Sequence, residues 1–192
     1  MTTATPAPRP GRPRTITRER IADAGMAMGL PKLTFVGVAA LLGVSHMALY
    51  KHVENLAALK LLVAEAIFMR WQLPDTGNDE LEHFLLRFSA SLRELVKSHQ
   101  GLAPYLIRRK VAPPGMLARI VAHQAEVARL YGIPTERARW LLSTVAFHCI
   151  ALADTVYAAE DEAWEEEDRA IEAEFDLGMH ALIIGALAMQ PQ

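Results

Sequence analysis

Apolar residues recur along most of this chain at intervals of three and four, the spacing that places them on one face of an α-helix. The sequence shows neither the alternation that predicts β-strands nor an internal repeat. The pattern therefore predicts an all-α protein with about nine helices. Their expected limits are Thr17 to Met28, Thr34 to Leu42, His46 to His52, Asn55 to Trp71, Asp79 to His99, Ala103 to Lys110, Met116 to Tyr131, Pro134 to Ala159 and Ala163 to Met189.

The stretch from Thr34 to Lys60 contains two short helical segments separated by a tight turn. Thr34 suits a helix N-terminus, and Ser45 can cap the second segment. Gly43 suits the turn because glycine reaches positive φ without a Cβ clash. Small Ala39 allows the two helices to approach closely. This layout is typical of a DNA-binding helix-turn-helix, whose second helix enters the major groove.

Charge is divided unevenly along the chain. Residues 1–60 hold eight Lys and Arg against three Asp and Glu, whereas residues 61–192 hold twelve against nineteen. A basic end on an acidic body indicates a protein that contacts nucleic acid with one end only. A fortuitous cluster of solvated charges is the alternative.

Residues 1–15 are rich in Pro, Thr, Ala and Arg and are predicted to form a disordered basic arm. Within this arm, the Arg-Pro-Gly-Arg-Pro-Arg run at 9–14 resembles an AT-hook core, whose arginines lie in narrow minor grooves. Arg12 and Arg14 are the candidate contacts. A flexible tail that makes loose phosphate contacts explains the same residues, so both interpretations stand at this point.

The segment from Arg18 to Ala66 resembles the TetR family of transcriptional regulators, and its Leu-Tyr-x-His-Val-x-Asn run is close to the tetracycline-type members. The residues that carry the resemblance are Thr34, Ala39, Leu42, Gly43, Val44, Ser45, Leu49, Tyr50, His52, Val53, Asn55, Ala58 and Leu59. The resemblance implies a helix-turn-helix domain over residues 16–60 and an effector-binding and dimerisation domain over residues 61–192. It also implies a two-fold dimer that reads a palindromic site.

The candidate DNA contacts lie in the helix-turn-helix and the turns beside it. They are Thr34, Ser45, His46, Met47, Ala48, Tyr50, Lys51, His52 and Asn55. His46 and Lys51 carry hydrogen-bonding groups for base edges or phosphates, and Met47 and Ala48 suit a thymine methyl. The resemblance implies that Tyr50 donates its hydroxyl to a phosphate, with packing in the small core as the alternative.

Two positions depart from the family pattern. Leu56 stands where many members have a lysine that contacts phosphate, and Val36 stands where the tetracycline-type members have an arginine that reads a base. An apolar side chain can perform neither task. We therefore do not expect this chain to share the operator sequence of those members.

The last two helices are apolar around most of their circumference, unlike surface helices of a monomer. The resemblance implies that they pair with a partner's helices into a four-helix bundle, and Gly178 and Gly185 permit close packing. The residues expected at this homodimer interface are Val145, Leu152, Val156, Met179, Leu182, Ile183 and Ala186. A central core position is the alternative. The uncharged runs are shorter than the roughly 20 apolar residues of a membrane span, so no membrane partner is expected.

A ligand pocket among the fifth to eighth helices is also implied by the resemblance, and its occupant is expected to be small and apolar. The candidate lining residues are Phe84, Phe88, Leu92, Tyr105, Met116, Ile120, His123, Phe147 and His148. Each can equally be an ordinary core residue. No metal is expected, because neither histidine has a Cys or carboxylate at ligand spacing, and no cofactor is expected. Cys149, in an apolar run, is predicted to be an inert buried thiol.

These features predict a homodimeric transcriptional repressor that binds a palindromic operator and is released by a small molecule. One cysteine and the lack of an apolar export signal favour the cytoplasm. One alternative is an architectural DNA-binding protein without an effector. Another is an enzyme that uses the pocket, although the sequence contains neither a nucleophile–base pair nor a phosphate-binding loop.

Overall fold

The computed structural model describes residues 16–76, 79–108, 112–157 and 165–189. Within these ranges the chain forms nine α-helices and no strand, which confirms the predicted all-α class. The helices are α1 (Arg18–Met28), α2 (Phe35–Leu42), α3 (His46–Leu49), α4 (Leu56–Arg70), α5 (Leu81–Ser98), α6 (Ala103–Ile107), α7 (Pro114–Tyr131), α8 (Thr135–Val156) and α9 (Glu165–Ala188).

The helix limits differ from the predicted ones at several places, and the differences at α3 and α7 have local causes. α3 is shorter than expected because it ends at Leu49, and the chain up to His52 continues as a turn in which the His52 N–H donates to the Leu49 carbonyl at 2.9 Å. α7 begins at Pro114 instead of Met116, since a proline in the first turn of a helix lacks only an N–H that would have no helical partner.

Several expected features lie outside the described residues. They are the basic arm with Arg12 and Arg14, and the helix limits at Lys110, Ala159 and Ala163.

Helices α1 to α4 surround a small core in which Ile21, Val38, Leu49 and Val63 are completely buried. α1 and α4 approach most closely at Gly25, where an added Cβ would overlap Val63 Cγ2. Glycine permits this close approach because it has no side chain. The contact between α1 and α4 forms the base on which α2 and α3 are held.

The body of the protein is built around α8, which packs against α5, α6, α7 and α9. Val145 and Ala153 of α8 are completely buried, as are Phe84 of α5 and Ile183 of α9. Because neighbours cover α8 on several sides, its apolar residues extend beyond a single stripe. The central position of α8 thus explains its apolar circumference as well as an exposed interface with a partner does.

α4 connects the two parts of the chain. It packs on α1 and also contacts α7 of the body. The buried apolar residues form one continuous cluster from Ile21 in α1 to Ala186 in α9. A domain boundary at residues 60 and 61 therefore falls inside a helix that serves both parts.

Candidate nucleic-acid interface and ligand cavity

The helix-turn-helix is shaped by local capping. The Gly37 N–H donates to Thr34 Oγ1 at 3.0 Å, so Thr34 caps α2 as expected. Gly43 ends α2 in the left-handed region at φ 68°, which a residue with a Cβ rarely adopts. These two residues fix where α2 begins and where the chain turns toward α3.

The expectation that the Ser45 side chain caps α3 is wrong. Its hydroxyl makes no capping hydrogen bond, and the turn is closed by the main chain, in which the Ala48 N–H donates to the Ser45 carbonyl at 3.0 Å. With only four residues in α3, this main-chain bond is enough to start the helix. The exposed Ser45 hydroxyl remains at the surface beside the start of α3.

α3 presents most of the predicted DNA contacts to solvent. His46, Met47, Tyr50 and Lys51 are exposed, whereas Leu49 is completely buried. Two further candidates, Ala48 and His52, are half-buried. The helix is therefore anchored through one apolar residue while its outer side stays available.

The ring of Tyr50 stacks on Phe35 of α2, with centroids 4.6 Å apart and planes 10° from parallel. Tyr50 is nevertheless 47% exposed. The geometry is thus compatible both with packing in the small core and with a phosphate contact, since the ring packs while part of the side chain faces water. The stack also restricts the orientation of Tyr50.

The turn between α3 and α4 is tied on both sides. Asn55 caps α4, because its Oδ1 accepts a hydrogen bond from the Ala58 N–H at 2.9 Å. Arg18, at the start of α1, donates to the His52 carbonyl at 2.8 Å. These bonds hold Tyr50 and Asn55 at one end of the helix-turn-helix unit. They involve residues of α1, α4 and the connecting turn, and none from the body of the protein.

Both positions that depart from the family pattern are exposed. Val36 is 67% exposed and Leu56 is 42% exposed, and Met47 on α3 is 63% exposed. Large apolar side chains at the surface of a helix-turn-helix are available for contacts with thymine methyl groups.

A cavity of about 300 Å³ lies between the C-terminal end of α4 and helices α5 to α8. Its wall is mostly apolar, and its polar side chains are Arg119, His123, Gln124, Arg139 and Ser143. No Asp or Glu contributes to the described wall. This volume is at the lower end of the range for small-molecule sites.

Six of the nine predicted pocket residues line this cavity: Phe88, Leu92, Met116, Ile120, His123 and Phe147. The other three do not. Phe84 lies behind the wall, fully buried and stacked on Phe88 at 6.2 Å. Tyr105 packs half-buried against the core from α6, and His148 is exposed on α8, with Nδ1 2.8 Å from the Thr144 carbonyl.

His123 has an exposed fraction of 9%, and among the described residues its Nε2 has no hydrogen-bond partner. The ring lies 6.0 Å from that of Phe84 and 5.9 Å from that of Phe88. Burial lowers the pKa of His123, against an opposing effect of the Glu126 charge. His123 therefore offers a neutral imidazole nitrogen inside an apolar wall.

Sequence reasoning missed Arg119, which joins the cavity to α4. Its guanidinium donates to the carbonyls of Phe68 and Met69 at 2.7 Å and of Trp71 at 2.6 Å, and it lies over the Phe68 ring, 5.6 Å from the centroid. Phe68 and Met69 lie in the last turn of α4, and Trp71 is its C-cap residue. The Phe68 carbonyl also accepts the Trp71 N–H at 3.3 Å, so Arg119 adds donors at a helix end whose carbonyls are short of helical partners. A lone arginine one turn before His123 was the only signal available in the sequence.

Four of the seven predicted dimer-interface residues are buried within the protomer and cannot be surface contacts. Val145 is buried because α8 is surrounded by its neighbours, and Met179, Ile183 and Ala186 are buried because α9 turns this stripe toward α5 and α8. Leu152 is exposed, and Val156 and Leu182 are half-buried. The sequence pattern had merged an inner and an outer stripe of these helices.

The outer side of α9 carries a separate row of small and apolar residues, which we call the α9 face. It consists of Leu177, Gly178, Ala181, Ile184, Gly185 and Ala188, all of which are exposed. Leu177 is 72% exposed, and a Cβ added at either Gly178 or Gly185 would meet nothing within 4 Å. The protomer by itself leaves this row uncovered.

The Cys149 side chain is completely buried, as predicted, and its Sγ donates to the Ser89 carbonyl at 3.2 Å. Burial raises the pKa of this thiol to about 11, which disfavours the reactive thiolate. Among the described residues, no group of three His, Cys, Asp or Glu side chains is arranged to hold a metal ion. None of the described helices combines the length and apolar character needed to cross a membrane.

No protein-family model matches this sequence, and neither does any curated protein sequence. The fold, in contrast, is shared with solved structures. A variant of TetR from Acinetobacter baumannii AYE in complex with minocycline is 22% identical, with a TM-score of 0.66 over 89% of this chain and 96% of that chain. Apo ActR from Streptomyces coelicolor is 19% identical, with a TM-score of 0.71 over 91% and 98%.

BioQ from Mycobacterium smegmatis is 19% identical, with a TM-score of 0.67 over 91% of this chain and 99% of that chain. BioQ has also been solved with its natural double-stranded DNA operator, at a TM-score of 0.68. The chain therefore has the all-α fold of TetR-family regulators over about nine-tenths of its length. This likeness confirms the fold implied by the helix-turn-helix residues.

Proposed function

We propose that this chain is a homodimeric transcriptional repressor that binds a palindromic DNA operator and is released from it by a small molecule. The observation that carries the proposal is the connection, through α4, of an exposed helix-turn-helix with a ligand-sized cavity. Similar folds have been solved with minocycline and, for BioQ, with a DNA operator.

In this proposal, α3 reads the major groove. His46 and Lys51 supply hydrogen bonds, while the exposed apolar groups of Met47 and Val36 contact thymine methyls. Because Val36 cannot replace a base-reading arginine, the operator differs from that of tetracycline-type members.

Other residues position the protein without reading sequence. Tyr50, held by its stack on Phe35, donates to a phosphate, and the capped N-termini at Thr34 and Asn55 offer backbone N–H groups to neighbouring phosphates. The arm residues 1–15 add charge next to this unit, in the minor groove or along the backbone.

The dimer forms through the α9 face together with the exposed side of α8. Gly178 and Gly185 leave room for a partner helix, and exposed Leu177 and Ile184 supply apolar area on either side of them. A two-fold arrangement of this kind places two copies of α3 on one duplex, which accounts for a palindromic site.

Selection of the purified protein against a random duplex DNA pool, at near-physiological salt, tests the proposal directly. We expect enrichment of an inverted repeat. Salt-sensitive binding without sequence enrichment would instead support an architectural protein, because phosphate contacts alone carry no sequence information.

Two variants then separate positioning from reading. Tyr50→Phe keeps the stacked ring but loses the hydroxyl, so we expect it to weaken binding to all sequences alike. His46→Ala is expected to change which sites are enriched. Equal effects of both variants on every sequence would contradict this division of roles.

A further inference from the structure

The strongest unexplained feature of the cavity is its charge. Arg119 and Arg139 both contribute to the wall, whereas no described wall residue is acidic. Arg139 is paired with Glu136 on its own helix. For Arg119 the described structure contains no ion pair, since its hydrogen bonds go to neutral carbonyls of α4. The cavity thus contains a cation without a carboxylate partner.

A second observation also points to a ligand at this place. His123 lies one helical turn from Arg119 on α7, and its buried Nε2 has no hydrogen-bond partner in the described part of the chain. A buried polar atom normally has a partner, because leaving it without one loses the hydrogen bonds that water would supply. The wall therefore offers one charged and one neutral polar group side by side, within an otherwise apolar enclosure.

We propose that the ligand is an apolar anion with a single carboxylate-type head group, and that its binding draws Arg119 away from the carbonyls at the end of α4. This inference rests on the proposed function and specifies the chemistry and the regulation of the same site.

Moving Arg119 from the carbonyls at the end of α4 to a ligand carboxylate is favourable because of the chemistry of these two kinds of acceptor. A carboxylate attracts the guanidinium through its full negative charge, which a carbonyl lacks, and it can accept two parallel hydrogen bonds from a guanidinium. A carboxylate in the cavity therefore competes well against the carbonyls of Phe68, Met69 and Trp71. The apolar remainder of the ligand occupies the wall formed by residues such as Phe88 and Leu92.

Movement of the Arg119 side chain away from the end of α4 has a direct structural consequence. The last carbonyls of α4 lose the donors that hold them against α7, so the end of this helix is loosened from the body. The same helix packs on α1 of the helix-turn-helix unit. Ligand binding would thus alter the position of the DNA-binding unit relative to the body, which couples the two sites.

The first test uses three probes with the same ten-carbon chain and different head groups: decanoate, decanol and decylamine. Binding to the full-length protein is measured by calorimetry and by the shift in melting temperature. We expect decanoate to bind at least about tenfold more tightly than decanol, as one charged hydrogen bond is worth that much, and decylamine to bind weakest. Equal binding of decanoate and decanol, or no binding by any of the three, would overturn the assigned ligand class.

Variants assign the preference to one arginine. Arg119→Gln is expected to reduce the ratio of decanoate to decanol affinity to about one, whereas Arg119→Lys keeps the charge and part of the preference. Arg139→Gln is the matched control, because it also removes one positive charge from the wall, and it should retain the preference. Loss of the preference in the Arg139 variant to the same extent would refute the role of Arg119. Should Arg119→Gln not fold, the wild-type series and the Arg119→Lys variant still decide the question.

Hydrogen exchange of the segment 66–73 tests the regulatory part without DNA. Decanoate is expected to increase exchange at the end of α4 in the wild type, and Arg119→Gln is expected to show raised exchange without ligand. Unchanged or slower exchange on adding decanoate would exclude release of α4.

With a selected operator in hand, decanoate should weaken DNA binding by about 5-fold or more in the wild type. If the protein fails to bind DNA, the proposed function fails, while the head-group and exchange experiments still judge this inference.

Discussion

Replacement of Gly25 by alanine is expected to destabilise the helix-turn-helix unit, although alanine is the better helix former. The added Cβ would overlap Val63 Cγ2 and would also lie 3.2 Å from Leu33 Cδ1. Two carbons need about 3.5–4.0 Å between them. Val63 is completely buried, and a valine in a helix has one strongly preferred χ1 rotamer, so its side chain cannot swing aside. The overlap must therefore be relieved by a movement of α1 away from α4.

The magnitude follows from two opposing effects. Alanine gains about 1 kcal/mol over glycine in a helix interior. An added carbon in a well-packed core costs typically about 1–3 kcal/mol, and the stiff neighbour at this position favours the upper part of that range. We expect a net loss of about 1–2 kcal/mol in the free energy of unfolding.

Gly37→Ala on α2 is the matched control. Its added Cβ would overlap the end of the Met28 side chain, which is flexible and can move at little cost, and it would lie 3.0 Å from Thr34 Oγ1, which must shift slightly. Because the helix gain offsets this milder crowding, the variant should be close to neutral in stability.

Urea denaturation followed by far-ultraviolet circular dichroism, at one fixed protein concentration, compares the two variants. The double variant Gly25→Ala with Val63→Ala is expected to be less destabilised than the sum of its single changes, by about 1 kcal/mol, since the two side chains touch. A Gly25→Ala protein as stable as Gly37→Ala would refute the reasoning.

Three further predictions concern capping, pH and assembly. Asn55→Ala should lower stability by about 1 kcal/mol, whereas Asn55→Asp should keep the cap in thermal melts while weakening DNA binding through its negative charge. Because burial lowers the pKa of His123, the unfolded state binds a proton at a higher pH than the folded state does. The contribution of His123 to stability is therefore complete above about pH 6.5 and declines as the pH falls toward the folded-state pKa. His123→Asn should flatten this dependence, which urea midpoints at about pH 7.5 and 5.5 would show. Gly178→Ala should weaken the dimer in sedimentation equilibrium, and an unchanged dimer would argue against the α9 face.

Much of the helix-turn-helix could be predicted from sequence because its geometry is set by near neighbours. Thr34 and Asn55 cap helices through bonds to N–H groups three residues ahead, and Gly43 supplies a left-handed turn that few other residues tolerate. Even there, local reasoning had limits: Ser45 has the right chemistry for a cap, but its side chain makes no such bond.

The cavity was predicted only in part. Phe88 and His123 were expected in its wall from the pocket that the family resemblance implies, and both line the cavity. Phe84 belongs to the same stripe of α5 as Phe88, yet it lies behind the wall. Periodicity identifies the buried side of a helix, but it does not distinguish a residue facing empty space from one facing a neighbouring side chain.

By itself, then, the sequence determined the all-α class, the order of the helices and the exposed helix α3, because helix periodicity, caps and turns depend on residues a few positions apart. Only the tertiary structure decided which apolar stripe of α9 enters the core and which stays outside, since both stripes are apolar and the packing of α5 and α8 separates them. It also decided the role of Arg119, whose partners at the end of α4 lie about 50 residues away in the chain. Contacts between such distant residues arise from the packing of whole helices, and no local pattern in the sequence records them.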